Sequence, residues 1–218
     1  MPSTRITLSS TPTYPRRGTH WGFHSHRTGR TVVAASSLEF DHYVALEADP
    51  EVKTWEPQVE VLVIFEGNER RRVLDSKVTY WSGLTVVNEV KHAAQSADPN
   101  TVFQMKVQDA WAAANNAGSR LVTDVMIREN RTLLENQHKM LPWVRGMHGV
   151  DEALARATLG LVSGWPKAIS IQDIATELRV PPSAFCAVIV KDYLERRVKL
   201  DVADRPFGLG TLVSPRVI

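Results

Sequence analysis

The chain has 218 residues, 43% of them hydrophobic and 23% charged, a globular composition long enough for one large or two small domains, which excludes disorder and collagen-like repeats. No stretch approaches the roughly 18 consecutive apolar residues of a membrane helix and no apolar signal-peptide core opens the chain, so a cytoplasmic protein without membrane contact is expected, and the lone cysteine, Cys186, fits a reducing compartment. The net charge of +2 is too mild to indicate nucleic acid, but residues 1–30 carry five arginines and no acid, residues 31–148 sum to −4 and residues 149–218 to +1.

Residues 1–30 are rich in Ser, Thr, Pro, Gly and Arg with little periodicity, which predicts a basic, irregular N-terminal arm for an anionic partner. From residue 36 the pattern changes. Ser36-Ser37-Leu38-Glu39 reads as a helix start, and apolar Leu38, Tyr43, Val44 and Leu46 predict a helix over 36–48, stopped at Asp49-Pro50. Val59, Val61, Val63 and Phe65 predict a strand over 59–65; after the Glu66-Gly67-Asn68 turn, strands are expected at 72–80 and, beyond Ser82-Gly83, at 84–91. A helix at 103–117 closing on Gly118 and a strand at 120–123 form a crossover onto the same sheet, and a further helix spans 124–140, ending before Pro142. Residues 31–147 therefore read as an α/β domain, a mixed sheet of about four strands with helices on its faces.

Gly146 to Gly149 reads as a hinge into a domain of residues 148–218. Helices are expected at 151–163, at 170–178 with Ser170 as cap, and at 184–197, then a hairpin of 198–202 with 209–213. Helices followed by a β-wing describe a winged-helix domain. Its third helix opens on Ala, Phe, Cys, Ala, Val, Ile and Val, without a base-reading Arg, Asn or Gln, which favours protein contact over sequence-specific DNA reading. Lys191, Arg196, Arg197 and Lys199 leave a phosphate contact open, and Cys186 reads as a small core residue.

The sharpest feature is Asp75 followed on the next strand by Glu89-Val90-Lys91. Alternate strand residues share a face, so Glu89 and Lys91 point together while Asp75 meets Glu89 across the ladder. Two carboxylates with the Val90 carbonyl make an all-oxygen site for Mg²⁺, with Mn²⁺ as substitute, and a lysine beside it can orient water or neutralise charge on a phosphate. That is phosphodiester hydrolysis. Glu39, in the first turn of the helix before the sheet, adds a third carboxylate. The competing reading is an exposed strand face of Glu and Lys with a solvated helical Glu; the order of helix with Glu, hairpin with Asp then Glu-x-Lys, helix and strand favours a restriction-endonuclease-like domain.

At these residues the chain resembles the TnsA-type endonuclease subunit of heteromeric transposases. The resemblance runs from about residue 20 to 145: Gly22-Phe23-His24-Ser25-His26-Arg27-Thr28-Gly29-Arg30, Ser36 to Glu39, Asp49-Pro50-Glu51-Val52, Trp55-Glu56-Pro57-Gln58, Val73-Leu74-Asp75, Val87 to Lys91, Leu121-Val122-Thr123-Asp124, Ile127-Arg128 and Leu134-Glu135-Asn136 follow in order. It implies a metal-dependent nuclease of the PD-(D/E)xK superfamily that cuts the 5′ ends of a transposon in a bacterial cytoplasm. Its partners would be transposon-end DNA, a DDE transposase subunit (TnsB-like) and an AAA+ ATPase regulator (TnsC-like), the last bound through the winged helix. Carried over, Glu39, Asp75 and Glu89 are metal ligands and Lys91 is the catalytic lysine. Leu74 stands where a proline usually precedes the central Asp, and Glu89 where a member of the family carries Gln. The alternatives are another nuclease of this superfamily, of restriction or repair type, and a non-catalytic winged-helix adaptor for DNA or protein.

Trp55-Glu56-Pro57-Gln58 is read as a turn, from which Gln58 could reach the site. His20, His24 and His26 lack further ligands for zinc. In the arm, Arg16, Arg17, Arg27 and Arg30 are the candidate phosphate contacts.

Overall fold

A computed structural model describes residues 20–216. The chain divides into two compact units, one holding the residues up to Leu46 with Val52–Glu129, the other Glu47–Glu51 with Asn130–Ile218.

The first unit is mixed α/β. It opens on a hairpin of β1 (Trp21–Ser25) and β2 (Arg30–Ala34), where an irregular arm is expected. The correction has a clear cause: Val32 and Ala34 are buried and Phe23 meets Phe40 and Trp55, while Gly29, at φ 67°, closes the turn by donating to the Ser25 carbonyl. Residues 1–19, with Arg16 and Arg17, lie outside the described residues.

Helix α1 (Ser37–Ala48) follows, then β3 (Val52–Phe65), β4 (Asn68–Tyr80), β5 (Thr85–Lys91), α2 (Pro99–Ala114), β6 (Gly118–Thr123) and a short helix α3 (Asp124–Arg128). The sheet has the order β3-β4-β5-β6, antiparallel except for the parallel pair β5 and β6, and is flanked by helices. The expected mixed sheet of about four strands is therefore present. Strand β3 is longer than expected at its start: Trp55 to Gln58 lie inside it, the first three paired with β4, and form no turn. Phe65 pairs with Asn68, and Glu66 and Gly67 between them both have positive φ, the mirror-image turn that suits the twist of a hairpin.

The two faces of the sheet carry different helices. On β5, Val87 packs with Val107 and Trp111 of α2, whereas Val90 packs with Leu38 of α1. On β3, Trp55 joins the α1 side with Tyr43 and Val78, yet Val59, of the same parity, joins the α2 side with Leu74. The alternation thus reverses between Trp55 and Val59. Gln58, at φ 49°, is the left-handed residue that accomplishes the reversal, and it stands level with Asp75, between the pairs Pro57↔Ser76 and Val59↔Leu74.

In the second unit, α4 (Arg131–Gly146) is separate from α3, because Asn130 breaks the expected 124–140 helix and caps a new one by accepting from the Leu133 N–H. Pro142 lies inside α4 instead of ending it. Met140 and Val144 pack with Val190 and Leu194, and buried Asn136 donates to the carbonyls of Val202 and Arg205 and accepts from Phe207 N–H. These bonds draw α4 into the second unit, so the division falls at Glu129, ahead of the expected hinge at residues 146–149.

Helices α5 (Glu152–Gly164), α6 (Ile171–Leu178, capped by Ser170) and α7 (Ser183–Leu194) follow, with a small antiparallel sheet of β7 (Ile169–Ser170), β8 (Val198–Leu200) and β9 (Leu212–Pro215) in the order β7-β9-β8. The expected hairpin is the β8–β9 pair, begun later at β9 and widened by β7. Phe185 and Ile189 of α7 are wholly buried with Ile171, Ile174 and Val213, and burial pushes the Cys186 thiol up, as befits a core cysteine. Among the described residues no helix is long and apolar enough to cross a membrane.

Candidate active site

The two central strands part at the site. Pairing of β4 with β5 reaches Ser76↔Asn88 and stops, and one step further, where Asp75 stands opposite Glu89, a side chain replaces the ladder: Asp75 Oδ2 accepts from the Val90 N–H at 2.7 Å. Tyr43 of α1 donates its hydroxyl to the Asp75 carbonyl at 3.0 Å. Both bonds fix Asp75 at the point where β4 changes the face it packs.

Glu89 is 1% exposed. One of its carboxylate oxygens lies 2.9 Å from Lys91 Nζ and the other accepts from Arg72 at 2.5 Å. A buried carboxylate requires such partners, because an isolated charge loses several kcal/mol of solvation on burial. The Asp75 carboxyl is pushed up to about 7, first by burial and then by the Glu89 charge and more weakly by Glu39, against the pull of the Val90 N–H and Lys91. Burial and the same two acids, Glu39 and Asp75, hold the Tyr43 phenol well above its ordinary range.

Asp75, Glu89, Val90 and Lys91 are therefore brought together as expected, although Val90 touches Asp75 through its N–H and not its carbonyl. Glu39 is near enough to act on Asp75 through space. One of its oxygens is engaged locally, accepting from Ala35 N–H, while Glu39 N–H donates to Ser36 Oγ. This is a capping arrangement at the start of α1. Arg27 donates to the Val52 carbonyl and Arg30 is exposed at the start of β2. Gln58 is exposed on β3.

Behind the site, on the α1 face, lies a second polar set: buried His42 Nε2 is 3.0 Å from Ser76 Oγ, which also accepts from Asn88 Nδ2. Each member is a chain neighbour or near neighbour of a site residue, so this network holds α1, β4 and β5 in register from the far side. Beyond β5, Asp124 accepts from Ala93 N–H at 2.7 Å and pairs with His92, tying down the chain that leaves Lys91.

Arg72, Tyr43 and His42 are the residues that sequence reasoning missed. Arg72 had a signal, a third basic residue in Arg70-Arg71-Arg72 ahead of the acidic strand pair, but its pairing with Glu89 depends on the reversal at Gln58, which no periodicity reveals.

The donor set fits a small hard cation. The Asp75 carboxyl is pushed up first by burial and then by the Glu89 charge, and a divalent cation held by these two residues would offset both effects. Asp75 and Glu89 would hold the ion with water completing its shell, as Mg²⁺ is commonly bound; among the described residues no three His, Cys, Asp or Glu side chains are gathered about one point. Compared with protein-family models and with curated proteins, the chain matches none.

Proposed function

We propose that the chain is a divalent-metal-dependent DNA endonuclease subunit of the restriction-endonuclease-like class. The observation that carries the reading is the meeting of Asp75 and Glu89 across neighbouring strands, with Lys91 at 2.9 Å from Glu89 and the Asp75 carboxyl pushed up to about 7. Asp75 and Glu89 would hold Mg²⁺ or Mn²⁺. Bound there, the ion supplies Lewis-acid polarisation of the scissile phosphate and acidifies a water molecule. Lys91, 29% exposed at its side chain, presents its ammonium to that water or to charge developing on the phosphate, while Glu89 fixes its direction. The Val90 N–H holds the Asp75 carboxyl in place, and the Tyr43 hydroxyl holds the backbone carbonyl of the same residue.

Within that class we assign the chain to the TnsA type, on the ordered segments between residues 20 and 145. The substrate is then transposon-end DNA, cut at its 5′ ends, with a DDE transposase and an AAA+ ATPase as partners in a bacterial cytoplasm. The helices and three-stranded sheet of the second unit are read as the winged helix that meets the ATPase; α7 carries no Arg, Asn or Gln, which supports protein contact over base reading.

Cleavage of transposon-end DNA by the chain with its transposase tests this. With Mg²⁺ present, Asp75→Asn and Lys91→Ala should each lower 5′-end cleavage by roughly a hundredfold or more while the complex still assembles. Cleavage retained by Asp75→Asn overturns the assignment.

A further inference from the structure

Beside the carboxylates, on the α2 face, the N-terminal half of β4 and the start of α2 border an open cavity of about 400 Å³ lined by Arg70, Arg71, Arg72, Asn100, Phe103 and Gln104. Three successive arginines border it, a density of positive charge unmatched elsewhere in an acidic stretch of chain. Arg70 is held over the Phe103 ring at 5.6 Å, and Phe65 stacks edge-on to that ring at 5.8 Å, so the Arg70 guanidinium is set in place by aromatic packing and not by a carboxylate. Arg71 pairs with Glu60.

Two buried polar atoms here lack partners: Arg72 Nε and Gln104 Oε1. Buried donors and acceptors are nearly always satisfied, so an unmet pair beside a cationic cavity points to a missing ligand. The guanidinium of Arg72 reaches two places. Its Nη2 donates to Glu89, and its buried Nε–H is unmet on a side chain that also lines the cavity.

We propose that this cavity is a phosphate subsite for the DNA strand, and that Arg72 is shared between it and Glu89. The proposal rests on the endonuclease reading and names where the strand adjoining the cut is held. A phosphodiester accepting from Arg70 and Arg72 takes the fork geometry that a guanidinium offers phosphate. Gln104 can turn its amide to present NH₂ to the same oxygens. A phosphate that draws Arg72 away leaves the Glu89 oxygen it held open to a cation. Arg72 is thus a positioning residue that couples DNA binding to the state of Glu89.

The test uses the full chain and a fluorescein-labelled DNA duplex with chelator present, so that binding is read by anisotropy without cleavage. Arg70→Gln and Arg72→Gln should each weaken binding roughly tenfold and reduce the slope of log affinity against log salt by about one, whereas Asp75→Asn should bind at least as tightly as the wild type. Arg72→Lys, which keeps the charge, should recover part of the affinity, and far-UV circular dichroism of each variant checks folding. In the absence of DNA, Mn²⁺ measured by electron paramagnetic resonance should bind Arg72→Gln several-fold more tightly than wild type and Arg70→Gln equally. Wild-type affinity in both arginine variants overturns the subsite while leaving the endonuclease reading intact; failure of the wild type to bind DNA overturns both. Unchanged Mn²⁺ affinity in Arg72→Gln overturns the sharing of Arg72.

Discussion

His42 is buried on α1 and Asp75 half-buried on β4, and their protons move stability in opposite directions. Burial, with Arg120 second, holds the His42 imidazole down at about 3, against 6.5 when unfolded; the unfolded chain binds the extra proton, so this contribution is present above pH 6.5 and lost as pH falls towards 3. Asp75 is raised from 3.8 to about 7, so its contribution is present below 3.8 and lost as pH rises through 7. Asp75→Asn removes one side, so denaturant unfolding should find this variant more stable than wild type near pH 8, by a margin that shrinks as pH falls to about 4. Parallel stability curves would contradict the burial and charge assigned to Asp75. At this scale the sequence was informative for Asp75, Glu89 and Lys91, because strand alternation and spacing alone bring them together. It was silent on Tyr43 and on the pairing of Arg72 with Glu89, which come from tertiary approach.

Among the elements, β3 shows how a single residue sets the site. Gln58 adopts φ 49°, a conformation costing an ordinary L-residue about 1–2 kcal/mol, and there the sheet exchanges the faces packed by α1 and α2. Gln58→Val should therefore lower stability by about 1–2 kcal/mol, since a branched side chain is least tolerant of positive φ, while Gln58→Gly should be near neutral. Equal stability of all three forms would show the backbone there to be relaxed. Periodicity revealed α1, the C-terminal end of β4 and both ends of β5 closely, because each has a cap or turn residue at its boundary, whereas β4 begins at Asn68, four residues ahead of the expected start. It failed where tertiary contacts prevailed. The β1–β2 hairpin hides its alternation of Trp21 and Phe23, Val32 and Ala34 among arginines and histidines, and the expected helix over 124–140 gave way to an Asn130 cap that a continuous apolar pattern conceals.

At the scale of the whole molecule, the chain combines a mixed α/β unit bearing the site with a helical unit closed by a small sheet. The mild net charge concealed a basic N-terminal stretch and an acidic body whose deficit includes Glu39, Asp75 and Glu89. The second unit depends on Asn136, whose three hydrogen bonds join α4 to residues 202–207. Asn136→Ala leaves those backbone groups buried and unmet, and should destabilise that unit by about 2–4 kcal/mol, read as a lower denaturation midpoint with an unchanged slope. The central claim is that Asp75 and Glu89 hold a divalent cation for phosphodiester hydrolysis. In anomalous diffraction from a Mn²⁺-soaked crystal, a peak is expected within ~2.1–2.6 Å of an oxygen of each carboxylate; no peak there, with the two side chains left on Val90 and Arg72, would overturn the assignment.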